Sequence, residues 1–199
     1  MTHPCSAHMR HATLIGAILA ALTASAAWAD SRLPALARQQ IGITTSYDPA
    51  YVQLPYPGGD VPKDRGVCTD VVIRALRGIG FDLQKAVHED MAAHFSAYPK
   101  NWGLTRPDKN IDHRRVLNLR TFFTRRGWAL PVTDNPSDYR PGDLVTCTVA
   151  ENLPHIVIVS DRKNSEGVPL IIHNMGAGTQ EDDYLFAFPI TGHYRVQMK

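Results

Sequence analysis

The chain has 199 residues, of which 44% are hydrophobic and 20% are charged, and its formal net charge is +2. This nearly balanced charge argues against a basic nucleic-acid-binding surface and against a polybasic membrane-binding patch, so we predict neither as a partner. Three cysteines in a chain of this length do not indicate a fold held together by disulfides.

The first 29 residues have the pattern of a signal peptide. Arg10 precedes a run of small and apolar residues over 13–26, and Ala27-Trp28-Ala29 fits the A-x-A pattern of a cleavage site. The run is too short and too rich in alanine for a comfortable membrane span. No second long apolar run follows, so we predict no integral membrane segment in the mature chain. We expect residues 30–199 to form one exported domain, periplasmic or secreted, with its own core.

Apolar residues at helical spacing dominate the first part of the exported chain. They predict helices over 31–41, 67–79, 82–95 and 112–125. The segment 44–66 is interpreted as a long shaped loop, because five prolines or glycines fall between Pro55 and Pro62. The segment 98–111 is also interpreted as a loop.

The pattern changes to strands near Pro131. It predicts strands over 143–149, 155–161, 168–174, 184–188 and 193–198, and RKNSEG is the hairpin loop between the second and third of them. Helices followed by an antiparallel sheet predict an α+β fold. Folding the hairpin about residues 162–167 sets residue 155 opposite 173 or 174.

Cys68 lies in the first turn of the helix over 67–79. Once the leader is removed, Cys68 and Cys147 are the only cysteines that remain. The unpaired N–H groups and the dipole at a helix start favour an anion, so this position predicts a lowered thiol pKa and a reactive thiolate. The alternatives are a plain core cysteine and a Cys68–Cys147 disulfide. We expect Cys147 to be a reduced strand residue.

A thiol nucleophile needs a base and a group that orients the base. His155 opens one predicted strand and His173 closes the next, so the hairpin carries a histidine on each arm. We predict that Cys68 is the nucleophile, that His155 is the base and that His173 orients it. A register change of one residue would put Asn174 in the place of His173, so Asn174 is the alternative third member.

Four segments of the chain, in order, resemble the papain-like NlpC-type cell-wall cysteine peptidases. They are YPGG twelve residues before the cysteine, CTDVVIRAL at the helix start, RPGDLVT at the entry to the sheet, and HIVIVSD with LIIHN in the next two strands. The resemblance implies a papain-like α+β fold, with the nucleophile helix packed on a C-terminal antiparallel sheet of about five strands. Within that superfamily, GVCTDVV and LPHIVIVSD resemble a bacterial family of exported proteins of about this length.

The resemblance implies a cysteine peptidase or amidase that cleaves amide bonds in peptidoglycan stem peptides, without metal or cofactor. It carries the family's tyrosine onto Tyr56, which would support the substrate or the oxyanion, and Asp70 and Asn174 are further candidates for that support. The family's Asp-Cys-Ser-Gly reads Val67-Cys68-Thr69-Asp70 here. The aspartate that binds a free amine in some members is therefore missing, which puts recognition of a free N-terminal amine in question.

Two other functions fit the same residues. One is a catalytically silent module that binds cell-wall peptides or a protein, and the other is an acyltransferase or thioesterase. HEDMAAH resembles a zinc motif, but His88 and His94 are six residues apart and would point to different helix faces, so we interpret it as helix surface. In DHRR we expect Asp112 to cap a helix, rather than Arg114 or Arg115 to bind a carboxylate.

Overall fold

The computed structural model describes residue 1 and residues 30–198, so the predicted leader over 1–29 lies outside the described residues apart from Met1. Within residues 30–198, four α-helices lie in the first part of the chain. They are α1 (Leu33–Arg38), α2 (Cys68–Gly78), α3 (Leu83–His94) and α4 (Val116–Arg125). In the described part of the chain, no helix is both long enough and apolar enough to cross a membrane.

The start of α4 differs from the prediction. Residues 112–114 form a 3-10 turn, and Arg115 then adopts an extended conformation with φ −103° and ψ 113°, so the α-helix begins only at Val116. Asp112 therefore does not cap the α-helix. Its carboxylate instead accepts the backbone N–H of Asp108 and closes the loop that leads into the 3-10 turn.

The chain then forms an antiparallel sheet of six strands, which confirms the α+β class. The strands are β3 (Ala129–Leu130), β4 (Leu144–Val149), β5 (Leu153–Lys163), β6 (Pro169–His173), β7 (Gln180–Asp182) and β8 (Ile190–Tyr194), in the spatial order β3-β8-β4-β5-β6-β7. Separately, β1 (Ser46–Tyr47) and β2 (Arg65–Gly66) pair in parallel and close the Pro/Gly-rich loop between them.

The strand predicted over 184–188 is wrong. Its alternating aromatic residues belong to a turn that covers the sheet, where Phe186 packs edge-on against Tyr139 and Leu185 is buried. The last strand lies over 190–194 rather than 193–198. Strands β3 and β7 have two and three residues, which is too short for an alternating pattern to predict them.

The two faces of the sheet bury different cores. Ile156, Ile158 and Ile172 pack with α2 and the other helices in the larger core. Val157 and Val159, which alternate with the two β5 isoleucines, lie in a smaller core under the 184–190 turn. Because α2 packs on β5, the first turn of α2 comes to lie beside the first residues of β5.

The RPGDLVT segment enters the sheet through a buried charge network. The Asp143 carboxylate accepts hydrogen bonds from His193 Nε2 at 2.7 Å, from Arg195 Nε at 2.8 Å and from the Arg140 backbone N–H at 2.8 Å. The other ring nitrogen of His193 lies 3.2 Å from the Pro131 carbonyl. This network joins the start of β4 to the end of β8, so the segment has a structural role at this point.

Candidate active site

Cys68 is the first residue of α2, and its side chain is 4% exposed. The backbone N–H groups of Ile156, in β5, and of Thr69, in its own helix, act on the thiol and favour a lower thiol pKa. Ile156 follows His155 in the chain, so the thiol lies against the backbone of the residue next to the predicted base. Among the described residues no hydrogen bond joins the thiol directly to the His155 ring.

The expected lowering of the Cys68 pKa is not found. Burial raises the pKa of the Cys68 thiol to about 12, more than the N–H groups of Ile156 and Thr69 lower it, and the Asp70 carboxylate adds to the rise. A helix start favours a thiolate only where the thiol keeps contact with water or with a cation. Here the thiol is buried, so the resting side chain is neutral.

The side chains of His155 and His173 are buried and lie next to each other. Their ring centroids are 6.1 Å apart at 73°, and they are 3% and 1% exposed. Burial, and then the neighbouring His173, lower the pKa of His155 to about 3. Burial also lowers the pKa of His173, against the opposing effect of Asp182. Both rings are therefore neutral at pH 7.

The register of the β5–β6 hairpin differs from the prediction by one to two residues. Ile158 pairs with Ile172 and Val159 with Ile171, whereas Lys163 pairs with Pro169, so the register shifts between 159 and 163. This irregularity sets His173 opposite Val157 in the continued pairing, diagonal to His155. In the other direction His155 pairs directly with Cys147 of β4.

Asn174, the alternative third residue, is fully engaged elsewhere. Its amide nitrogen donates to the carbonyls of Gly66 at 3.1 Å and Ser46 at 3.3 Å, and its oxygen accepts the N–H of Gly176 at 3.1 Å. These bonds tie the end of β6 to the segment that leads into Cys68. Asn174 therefore supports the cysteine loop rather than the His155 ring.

The Asp70 side chain also has a structural role. Its carboxylate forms a two-pronged ion pair with Arg114, at 3.0 Å and 2.9 Å, and accepts the Val67 N–H at 2.7 Å. Arg114 further donates to the carbonyls of Ala50 and Asp48. The pair thus joins the start of α2 to the 112–114 turn and to the 48–50 loop, and the Asp70 carboxylate is occupied by these contacts.

A cavity of about 210 Å³ opens beside Cys68. Its walls are aromatic and apolar, and it is lined by Tyr47, Pro49, Val67, Cys68, Trp102, Ile111, Arg114, Val116, Leu117 and Pro154. The guanidinium of Arg114 is the one charged group among these, and Asp70 neutralises it. The cavity therefore suits a neutral, largely apolar part of a ligand.

Tyr56 does not line this cavity. Its ring packs edge-on against His88 with centroids 5.2 Å apart, and the Lys109 ammonium lies 5.5 Å above it. The tyrosine beside the cysteine is Tyr47, whose pKa is raised to about 12 by burial and by the nearby Cys68 and Asp70. Sequence reasoning missed Tyr47, which lies in the two-residue β1, and Trp102, which lies in a turn, because neither segment has a periodic pattern.

A larger cavity, of about 340 Å³, lies between α1, α2 and the 60–63 loop. Asp60 binds Arg74 and Arg77 at 3.1 Å, and Lys63 is a third cationic side chain in the lining, so the charged groups of this cavity have a net positive charge. Among the described residues, no group of three or more His, Cys, Asp or Glu side chains is arranged to hold a metal ion. Cys68 and Cys147 are both free thiols.

A family model described as "Domain of unknown function (DUF1287)" matches residues 35–196, which is most of the chain and contains every residue of the candidate site. The protein belongs to the DUF1287 family. This DUF1287 protein is also 60% identical over 163 residues to YijF of Escherichia coli (strain K12), described as an uncharacterized protein, and the match covers 82% of this chain and 80% of YijF.

Among solved structures, the DUF1287 chain is similar to NlpC1 from Trichomonas vaginalis, with a TM-score of 0.45 and 12% identity. The match covers 85% of this chain and 44% of that chain, so this protein spans less than half of the structure that it matches.

Proposed function

We propose that this DUF1287 protein is an exported papain-like cysteine hydrolase that cleaves amide bonds in peptidoglycan stem peptides. The observation that carries the proposal is the placement of Cys68, which lines the 210 Å³ cavity, begins a helix and lies against the backbone N–H of the residue that follows His155. Export and the cell-wall substrate rest on the leader pattern and on the NlpC-like segments of the sequence.

The proposed reaction uses Cys68, His155 and His173. The Cys68 sulfur attacks the amide carbonyl carbon as His155 takes the thiol proton, and the carbonyl oxygen gains the negative charge. Backbone N–H groups at the start of α2 stabilise that oxyanion. The C–N bond then breaks and the leaving amine takes the proton from His155. Water, giving a proton to His155, hydrolyses the thioester, and that proton returns to the Cys68 sulfur.

The neutral resting state favours proton transfer during attack over a preformed ion pair. A thiol with a pKa near 12 and an imidazole with a pKa near 3 do not exchange a proton at rest. A substrate carbonyl in the cavity would draw the proton to His155 only as the C–S bond forms. The single charged group that lines the cavity is a neutralised arginine, so we do not expect an ammonium group of the substrate to bind there.

The test is digestion of purified sacculi by the exported protein, with the released fragments analysed by mass spectrometry. We expect wild-type protein to release muropeptide fragments, Cys68→Ala to release none, and Cys147→Ser, the matched control at the other cysteine, to release them at a comparable rate. Release by Cys68→Ala would refute the cysteine mechanism, and no release by any variant would refute the cell-wall hydrolase.

The second candidate is a silent peptide-binding module, which the raised thiol pKa and the missing thiol–imidazole hydrogen bond favour. Such a module should bind stem peptides equally well with Cys68→Ala and should leave them intact. Isothermal titration with a synthetic stem peptide, followed by mass spectrometry of the same sample, distinguishes binding from cleavage.

A further inference from the structure

His173 carries two buried ring nitrogens, and in the structure neither makes a hydrogen bond. A buried polar atom without a partner costs free energy, so such an atom in a candidate site calls for a functional explanation. The nearest charged group is Asp182. Its Oδ2 lies 3.2 Å from His173 Nε2, which is an ion-pair distance without the alignment of a hydrogen bond.

The sheet itself sets Asp182 beside His173. In the β6–β7 pairing, His173 lies opposite Gln180 and Ile171 lies opposite Asp182, so Asp182 is the diagonal neighbour of His173 on the same face. The next residue towards the N-terminus, Glu181, points to the other face and binds Arg38 and Ser160. Because side chains alternate along β7, Glu181 binds Arg38 and Ser160 on one face of the sheet, whereas Asp182 lies on the same face as His173.

The side chain of Asp182 is 35% exposed, whereas that of His173 is 1% exposed. A small rotation of the exposed carboxylate, rather than of the buried ring, is enough to align the two for a hydrogen bond from the His173 Nε2–H. That bond would leave His173 Nδ1 unprotonated. An unprotonated nitrogen is what His173 needs in order to accept the ring N–H of His155.

We propose that Asp182 is a positioning residue, which fixes the tautomer of His173 and through it the orientation of His155. This proposal rests on the proposed function for its effect on rate, but the tautomer of His173 is a property of the resting protein. The sequence alone gives no indication of Asp182, because the three-residue β7 carries no recognisable pattern.

The first test is nitrogen NMR of the exported protein labelled with ¹⁵N-histidine, with His173→Asn used to assign the His173 signals. We expect a protonated Nε2 and an unprotonated Nδ1 in the wild type, a changed tautomer population in Asp182→Ala, and recovery in Asp182→Glu. Asp183→Asn is the matched control at the adjacent exposed residue, whose carboxylate accepts a hydrogen bond from the Asn164 amide at 2.8 Å, and it should leave the signals unchanged. An unchanged tautomer in Asp182→Ala would overturn the proposal.

The second test measures cleavage. We expect Asp182→Ala to lower kcat by roughly tenfold to a hundredfold with little change in KM, since the base is misoriented while the cavity is intact. Asp182→Glu should recover part of that loss, and Asp183→Asn should lose nothing. An equal kcat in Asp182→Ala and wild type would overturn the positioning role. If the wild type cleaves nothing while the tautomer still changes in Asp182→Ala, the proposed function fails and the Asp182–His173 assignment stands.

Discussion

Cys68 is subject to two opposing effects at the level of the single residue. The helix start and two backbone N–H groups favour the thiolate, and burial at 4% exposure favours the thiol. Burial has the larger effect, because removing an anion from water costs more than two neutral hydrogen bonds recover. Reactivity in this site is therefore expected to depend on a bound substrate.

Alkylation kinetics test the neutral resting thiol. We expect Cys68 in the folded Cys147→Ser variant to react with iodoacetamide more slowly than free cysteine between pH 6 and pH 9, because a raised pKa reduces the thiolate fraction throughout that range. The rate should increase with pH without reaching a plateau. Peptide mass spectrometry after timed quenching gives the rate, and rapid labelling near pH 6 would contradict it.

His173 and Asn174 are adjacent residues with separable roles. We expect His173→Ala to lower kcat by roughly a hundredfold or more, because His155 loses its orienting group. We expect Asn174→Ala chiefly to lower the urea midpoint, because the carbonyls of Gly66 and Ser46 lose their donor. Steady-state kinetics and urea titration of both variants measure the two effects. A larger loss of kcat in Asn174→Ala would assign the third role to Asn174.

At the level of secondary-structure elements, the start of α2 is held by the buried Asp70–Arg114 pair. Both side chains are at most 3% exposed, and Arg114 also binds the carbonyls of the 48–50 loop. A long loop with few regular hydrogen bonds is thus fixed against the helix that carries the cysteine. The cavity wall at Tyr47 and Pro49 depends on this attachment.

Removing one member of the Asp70–Arg114 pair should strongly destabilise the fold. We expect Arg114→Met to lower the free energy of unfolding by about 3–5 kcal/mol, because the Asp70 carboxylate stays buried without its partner. Urea denaturation followed by circular dichroism measures the change. The control is Lys85→Met in the exposed Lys85–Glu89 pair, whose loss should not shift the midpoint measurably. Equal midpoints for Arg114→Met and wild type would contradict the structural role.

Much of this architecture could be predicted from the sequence. The apolar spacing of Val71, Val72, Ala75 and Leu76 predicted α2 nearly to the residue, and the helix-then-sheet order predicted the α+β class. The β5–β6 register could not be predicted, because the register shift between residues 159 and 163 does not change the alternation of apolar residues in the sequence. The predicted lowering of the Cys68 pKa was wrong, because the burial of the thiol depends on how α2 packs on β5. That packing cannot be seen in the local sequence.

At the level of the whole molecule, the Asp143 network joins the start of β4 to the end of the neighbouring β8. Burial raises the pKa of Asp143, but the hydrogen bonds from His193, Arg195 and the Arg140 N–H lower it more, so the net pKa is below its usual value. A carboxyl group whose pKa is lower when folded contributes stability above its unfolded pKa of about 3.9. That contribution is lost as the pH falls towards the folded pKa.

The acid dependence of stability tests this network. We expect the urea midpoint of the wild type to fall as the pH is lowered from 5 to 3, and the midpoint of Asp143→Asn to be lower at pH 7 but to fall less over the same range. Asp134→Asn, at a carboxyl group outside the network, should preserve the wild-type slope. Parallel slopes for Asp143→Asn and wild type would show that Asp143 does not control the acid response.

The chain contains three tryptophans, and the two in the described region occupy opposite environments. Trp128 is 1% exposed among Phe81, Phe122 and Phe123, whereas Trp102 is 39% exposed, lines the Cys68 cavity and lies 4.2 Å from the Arg115 guanidinium. A molecule that enters the cavity must displace water from the Trp102 indole and leave Trp128 untouched. Trp102 and Trp128 therefore supply two independent fluorescence signals, one that reports occupancy of the cavity and one that reports integrity of the core, and Trp102→Phe separates them.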